Sequence, residues 1–151
     1  MRVIEKNTEN IQITMEQAQE GIVKEFKSLG SWMDKYKYVV ELGKSLPPMD
    51  SNYRTEDNLI RGCQMKTWFC SRLENGRVFY SVDSMSLIIK GISVLLIRVL
   101  SGQSPEDIKN ADMGFIDKIG LKEEFSPIRE NSLWKLVNRI KSDADSYCNN
   151  K

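Results

Sequence analysis

The stretch LIIKGISVLLIRVL, Leu87–Leu100, constrains the fold more than any other part of the chain. It is too short for a membrane span, which takes about 20 apolar residues, and Lys90 and Arg98 interrupt it. Wound as a helix, it is apolar on nearly every side, and such a helix has to be buried. The remainder of the chain must therefore cover it from several directions. Ser84 or Ser86 is placed to start this helix, and Ser101-Gly102 to close it.

Candidate covers lie on both flanks. Residues 15–29 carry Ile22, Phe26 and Leu29 at helical spacing, with Gly30 as the stop. Ser31, with Asp34 three residues on, has the form of a capping box for a second helix, which presents Trp32, Tyr36, Val39 and Val40 on one face. Pro47-Pro48 ends it, since proline lacks the helical donor and restricts the residue before it. Downstream, SPED at residues 104–107 is a helix start with serine at the N-cap and proline at N1. A second Ser-Pro at Ser126 opens a terminal helix carrying Ile128, Leu133, Leu136, Val137 and Ile140. Residues 1–14 are polar and weakly periodic, a loose lead-in.

Between these helices the period changes. TEDNLIRG, KTWFCSRL and RVFYSVDS are predicted to form three short strands. Asn75-Gly76 joins the second and third, and both residues tolerate the positive φ of a type I′ turn. A two-residue turn sets Glu74 opposite Arg77 and Leu73 opposite Val78. Phe69, Leu73, Val78, Tyr80 and Val82 then share an apolar, core-facing side. Trp68, Cys70 and Arg72 share the other side with Phe79, Ser81 and Asp83. The expected fold class is α+β, a small antiparallel sheet of about three strands packed against several helices, in one domain spanning residues 1–151.

Charge narrows the function classes. Lys and Arg total 22 against 21 Asp and Glu, a net charge of +1, so there is no broad basic field for nucleic acid. No membrane span is expected, and the first residues lack the apolar core of a secretory signal. Three cysteines, Cys63, Cys70 and Cys148, are too few for a disulfide framework and odd in number. Free thiols in a reducing, cytoplasmic setting are the expectation.

Cys63 is the residue to weigh. It lies in Gly62-Cys63-Gln64-Met65, a connection between two expected strands, with Arg61 and Lys66 on either side. Free cysteine is among the most buried residue types, which favours simple packing. Loop placement, the preceding glycine and the flanking cations favour a reactive sulfur, because nearby positive charge promotes the thiolate. The residues alone leave these readings level. Hydrolytic chemistry is thin, because the chain has no histidine to act as base. No CxxC pair, short metal-ligand spacing or Gly-rich phosphate loop is present, and no cofactor is expected. A lone thiol without acid–base apparatus can still exchange sulfur when a partner brings the activated atom. Cys70, inside a strand, reads as structural, and Cys148 as exposed in a polar tail. Trp32, Tyr36 and Trp134 read as core.

Several segments together resemble the SufE family, sulfur-acceptor proteins of iron–sulfur cluster assembly. WMDKYKYVVELGKSLPPM resembles its W…KY…ELG…LP helix, and NLIRGCQMKTWF the segment of form N-x-[VI]-x-GCQS-x-VW around the acceptor cysteine. VDSMSLIIKGISVLLI resembles the D-S-D…IVKG helix start; SPEDI and FSPIR follow at suitable distances. The likeness runs from about Trp32 to Ile140. It implies a fold like that of IscU-type scaffold proteins. It implies that Cys63 receives persulfide sulfur from a pyridoxal-phosphate cysteine desulfurase, SufS-like, and passes it to a SufBCD-like scaffold. Arg61, Gly62, Gln64, Lys66, Asp83, Ser84 and Arg129 would support the loop or partner contacts. The chain would then be an accessory sulfur-transfer protein and not itself an enzyme, with a loop that shields the persulfide at rest and exposes it on docking. Homodimer formation is left open. Met65 and Met85 depart from the pattern, replacing the usual serine after GCQ and the usual second aspartate after D-S. An iron–sulfur scaffold or metal-binding protein of the same fold, or an interaction domain with an inert Cys63, are the competing readings.

Overall fold

The computed structural model describes residues 14–120 and 127–149, excluding the side chains of 127–129. Six α-helices and one hairpin appear among them: α1 (Met15–Lys27), α2 (Trp32–Ser45), β1 (Thr67–Glu74), β2 (Arg77–Ser84), α3 (Leu87–Leu100), α4 (Pro105–Lys109), α5 (Phe115–Lys118) and α6 (Pro127–Asn149). The lead-in expected over residues 1–14 lies outside the described residues, save Thr14. Its hydroxyl accepts from the Gln17 backbone while the Gln17 side chain accepts from the Thr14 backbone, a complete capping box for α1. Ser31 makes only the forward half of the box expected for α2, accepting from Asp34 N–H.

The α+β class is as expected, and α3 is the buried centre. Eleven of its fourteen residues are buried, and Ser86 is its N-cap. Its two charges are both neutralised. Lys90 lies 3.6 Å from Asp83, and Arg98 grips both Glu25 oxygens from α1 at 3.0 and 2.6 Å. Tyr38 of α2 donates to the same carboxylate at 2.6 Å, so one cluster ties three helices. Arg98 holds the Glu25 carboxyl below the usual carboxylate range. A carboxyl lowered on folding contributes stability above that range and loses it as pH falls through the lowered value. Glu25→Gln should flatten this part of the acid limb, seen as a smaller fall in melting temperature between pH 6 and pH 3 than the parent shows.

Helix α2 lies so close on α3 that glycines are required on both. A Cβ on Gly91 would collide with the Val39 carbonyl, and one on Gly43 with the Leu87 carbonyl.

The hairpin follows the expected register: Asn75 and Gly76 both have positive φ, Glu74 pairs with Arg77, and Leu73 with Val78. Phe69, Val78, Tyr80 and Val82 face the core. Leu73 shares their side yet is 46% exposed, because the hairpin tip outruns the helices. Its partner Val78 is covered by a bridge to Gln103.

The third strand is corrected. Among the described residues the sheet has two strands. Glu56–Asn58 is a 3-10 turn, and strand pairing shrinks to one bridge, Leu59 to Trp68. TEDN is polar, and its backbone closes locally instead of laddering: Asn58 N–H donates to the Thr55 carbonyl at 3.1 Å and Leu59 N–H to the Glu56 carbonyl at 3.2 Å. The tail is corrected as well. Helix α6 continues to Asn149, fastened by fully buried Ala144 and by Tyr147, whose hydroxyl lies 3.0 Å from Ser71 Oγ.

Candidate functional site

The thiol sits on a pinned loop. Leu59 bridges Trp68, Ile60 N–H donates to the Thr67 carbonyl at 2.8 Å, and the chain between them turns over at Arg61-Gly62. The far side is held by Thr67 Oγ1 donating to the Met65 carbonyl at 3.1 Å and by Met85 N–H donating to the Lys66 carbonyl at 2.9 Å. Gly62 has φ +86°, a conformation that costs a residue with a Cβ about 1–2 kcal/mol. Five of the expected site residues therefore stand together: Arg61, Gly62, Cys63, Gln64 and Lys66. Cys63 is half-buried and packs against the core; its neighbours Arg61, Gln64 and Lys66 are exposed. Among the described residues neither Arg61 nor Lys66 enters an ion pair.

Two residues of this site escaped the sequence reading. Asn131 Nδ2 makes a long hydrogen bond, 3.4 Å, to the Gly62 carbonyl. The end of the Lys135 side chain lies over Gly62, its Nζ 2.9 Å from where a Cβ would stand. Both belong to α6, four residues apart on one face. The spacing was visible, but nothing in it says which loop that face meets. The consequence is a third cation, Lys135, beside the thiol loop.

Asp83 and Ser84 do a different job from the loop residues. Asp83 is buried; its carboxylate accepts from Met49 N–H at 3.1 Å and Ser84 N–H at 2.8 Å, and faces Lys90. Arg54 stands at 3.9 Å and stacks over Trp68. Ser84 Oγ pairs with Thr67 Oγ1 at 2.9 Å and accepts from Ser86 N–H. These two residues lock the post-proline segment and the start of α3 to the strand beneath the loop. Removing one partner of a buried pair strands the other, so Asp83→Ala should cost about 3 kcal/mol, read from urea unfolding at pH 7. A loss under about 0.5 kcal/mol would contradict this role. Arg129 lies at the start of α6, and its side chain is outside the described residues.

The other thiols stand apart. Cys70 is half-buried on the outer side of the hairpin, in a groove of 630 Å³ shared with Pro48, Tyr53, Phe79 and Ser81. Burial pushes its thiol up, against the pull of Arg139 and Arg72, which suppresses reactivity at neutral pH. Cys148 is half-buried on the last turn of α6 and not free in a tail. Trp32, expected in the core, is 47% exposed and stands edge-on to Tyr36. Among the described residues no group of three or more His, Cys, Asp or Glu is placed to hold a metal, and no helix is long and apolar enough to cross a membrane.

The family model for the SufE Fe-S metabolism associated domain matches residues 20–144. An uncharacterized SufE-like protein of Rhizobium meliloti (strain 1021) is 33% identical over 129 residues, covering 82% of this chain and 92% of that protein. SufE-like protein 1 of Arabidopsis thaliana, described as chloroplastic/mitochondrial, is 33% identical over 124 residues, covering 82% of this chain but 33% of the longer plant protein. The solution structure of a hypothetical protein from Thermus thermophilus superposes with a TM-score of 0.69 at 24% identity, covering 85% of this chain and 94% of that one, which speaks to the fold alone. With the matched segment spanning the thiol loop, the hairpin and most of the helical cover, the chain belongs to the SufE family, a family associated with iron–sulfur metabolism.

Proposed function

We propose that the chain is a sulfur acceptor, taking persulfide sulfur from a SufS-like, pyridoxal-phosphate cysteine desulfurase onto Cys63, stimulating that enzyme and delivering the sulfur to a SufBCD-like scaffold. The observation that carries this reading is the setting of Cys63: a half-buried thiol on a glycine-hinged loop, with Arg61, Lys66 and Lys135 around it. No histidine exists in the chain to serve as a base. The loop is suited to exchange and poorly equipped to start a reaction. The Cys63 thiolate attacks the outer sulfur of the donor's persulfide. One S–S bond breaks, one forms, and the donor cysteine leaves as thiolate, so no oxidant or reductant is consumed. A reducing cytoplasm suits this chemistry, since it keeps Cys63 free between transfers.

The scaffold reading asks for converging soft ligands, and the three cysteines lie on a loop, a strand and the end of α6. The deciding experiment is intact-mass analysis after incubation with cysteine and a cysteine desulfurase. The expected result is one added sulfur atom, mapping to the peptide that holds Cys63. Sulfur on Cys70 or Cys148 instead, or none on a chain whose Cys63 is reduced, overturns the assignment.

A further inference from the structure

Asn131, Lys135, Arg139, Asp143 and Tyr147 recur at every fourth position of α6 and form a stripe that winds slowly round the helix. The far part of the stripe is fastened to β1. The Arg139 guanidinium lies over the Phe69 ring at 5.5 Å, Asp143 accepts from Ser71 Oγ at 2.8 Å, and the Tyr147 hydroxyl stands 3.0 Å from the same atom. The near end meets the thiol loop, where Asn131 donates to the Gly62 carbonyl. Lys135 stands between these two attachments, so its place is set from both sides. Its stem crosses Gly62, with Cε 2.7 Å and Nζ 2.9 Å from where a Cβ would stand. Any side chain at position 62 would push the amine aside. Lys135 is half-buried, and among the described residues it enters no ion pair. A partly desolvated ammonium without a carboxylate beside it is costly to keep unless it answers some other negative charge. Arg61 and Lys66 differ from it in being exposed, where water and salt screen their charge.

We infer that Lys135 is a positioning residue for the sulfur transfer: its ammonium, held over Gly62 by the anchoring of α6, offsets the negative charge that gathers at the neighbouring Cys63. The inference rests on the sulfur-acceptor reading and assigns a role at that same site to a residue of a distant helix. Negative charge is present at the loop through the whole step. It sits on the Cys63 thiolate before attack and is shared along three sulfurs while one S–S bond forms and the other breaks. It ends on the departing donor thiolate. A cation already in place stabilises that charge without first being gathered out of water, which is the advantage of a fixed group over a mobile one. Lys135 acts through its place beside the loop and takes no proton and forms no bond in the step.

The test compares the parent with Lys135→Met, which keeps a long unbranched stem over Gly62 and loses the charge, and Lys135→Arg, which keeps the charge. Alkylation of Cys63 by iodoacetate, an anion, is measured against alkylation by neutral iodoacetamide, each read by mass on the peptide that holds Cys63. At low salt Lys135→Met should lower the iodoacetate-to-iodoacetamide rate ratio about threefold, and Lys135→Arg should restore it. In about 0.5 M salt the difference should shrink, because the Debye length falls to a few ångströms. A loop that is merely loosened changes both rates together and leaves the ratio alone. With a cysteine desulfurase, Lys135→Met should lower the maximal rate of Cys63 loading about fivefold, with the acceptor KM within about twofold of the parent and the arginine variant restored. Three results overturn the role: a ratio in Lys135→Met equal to the parent's, an equal loss in the methionine and arginine variants, or a rise in KM at unchanged maximal rate, which assigns Lys135 to docking. A fall in the ratio as large for Lys66→Met as for Lys135→Met also overturns it, since an exposed lysine would then serve as well. A parent that no desulfurase loads overturns the sulfur-acceptor reading and the transfer role with it; a parent that is loaded while the ratio does not depend on Lys135 overturns the role of Lys135 alone.

Discussion

Cys63→Ser should eliminate both the added sulfur and the stimulation of the desulfurase, a loss of at least a hundredfold in acceptor-dependent turnover. Serine keeps the size of the side chain and the loop's hydrogen bonds, none of which uses the sulfur among the described residues: they run through Ile60, Met65, Lys66, Thr67 and Asn131. Only the nucleophile is lost, and a hydroxyl does not form the S–S bond that carries the cargo. Docking should survive, so the variant should compete with the parent for the enzyme. Cys148→Ser and Cys70→Ser provide the contrast. The first lies at the far end of α6, and the second has a thiol that burial keeps protonated. Both should stimulate like the parent. Full stimulation by Cys63→Ser would end the assignment.

Gly91→Ala should cost about 3 kcal/mol and lower the melting temperature by about 10 °C. The new methyl meets the Val39 carbonyl oxygen and carbon together with Val39 Cγ1. A side chain can rotate aside, but a carbonyl inside a helix cannot without breaking its own ladder. Helices α2 and α3 must then part, opening the centre of the core. Gly43→Ala should behave likewise, through the Leu87 carbonyl and Gly91 nitrogen. Gly21→Ala is the counterpart. It lies within α1 with nothing within 4 Å of the added carbon, so alanine should stabilise by about 0.5–1 kcal/mol through helix propensity alone. Equal effects at Gly21 and Gly91 would refute the close-approach argument.

The sequence was most readable where a local rule and the global fold ask for the same thing. Asn75-Gly76 set the hairpin register, and with it which side of each strand is buried, because a two-residue turn leaves one pairing. The all-round apolar run named its own centre. Reading failed where the answer depends on contacts far along the chain. TEDNLIRG has the length of a strand, but only Leu59 and Ile60 engage β1, since residues 56–58 close into a 3-10 turn first. SDADSYCNNK reads as a tail until Ser71 is seen to engage Asp143 and Tyr147. Gly43 and Gly91 look like weak points in their own helices, and only the crossing shows them to be its condition. At the site, Cys63 with Arg61, Gly62, Gln64 and Lys66 was legible as one contiguous loop. Lys135 and Asn131 were not, because the approach of α6 to that loop is a tertiary fact. Asp83 and Ser84 were legible as positions of interest, and their burial and hydrogen bonds give them an anchoring role beneath the loop.

The hydrogen bonds that fasten the ends of the thiol loop also limit its reach. From the anchor at Ile60, three residues lead to Cys63, so full extension carries its Cα no more than about 10 Å from that anchor. That stroke is less than the width of a small domain. A swinging arm could bridge two machines seated side by side; this tether cannot. On the proposed sulfur-acceptor function, the cargo travels with the whole molecule, and donor and recipient must take turns at one face. How quickly the loaded chain lets go of its donor would then govern throughput, and a grip that is too tight would slow transfer as surely as one too weak.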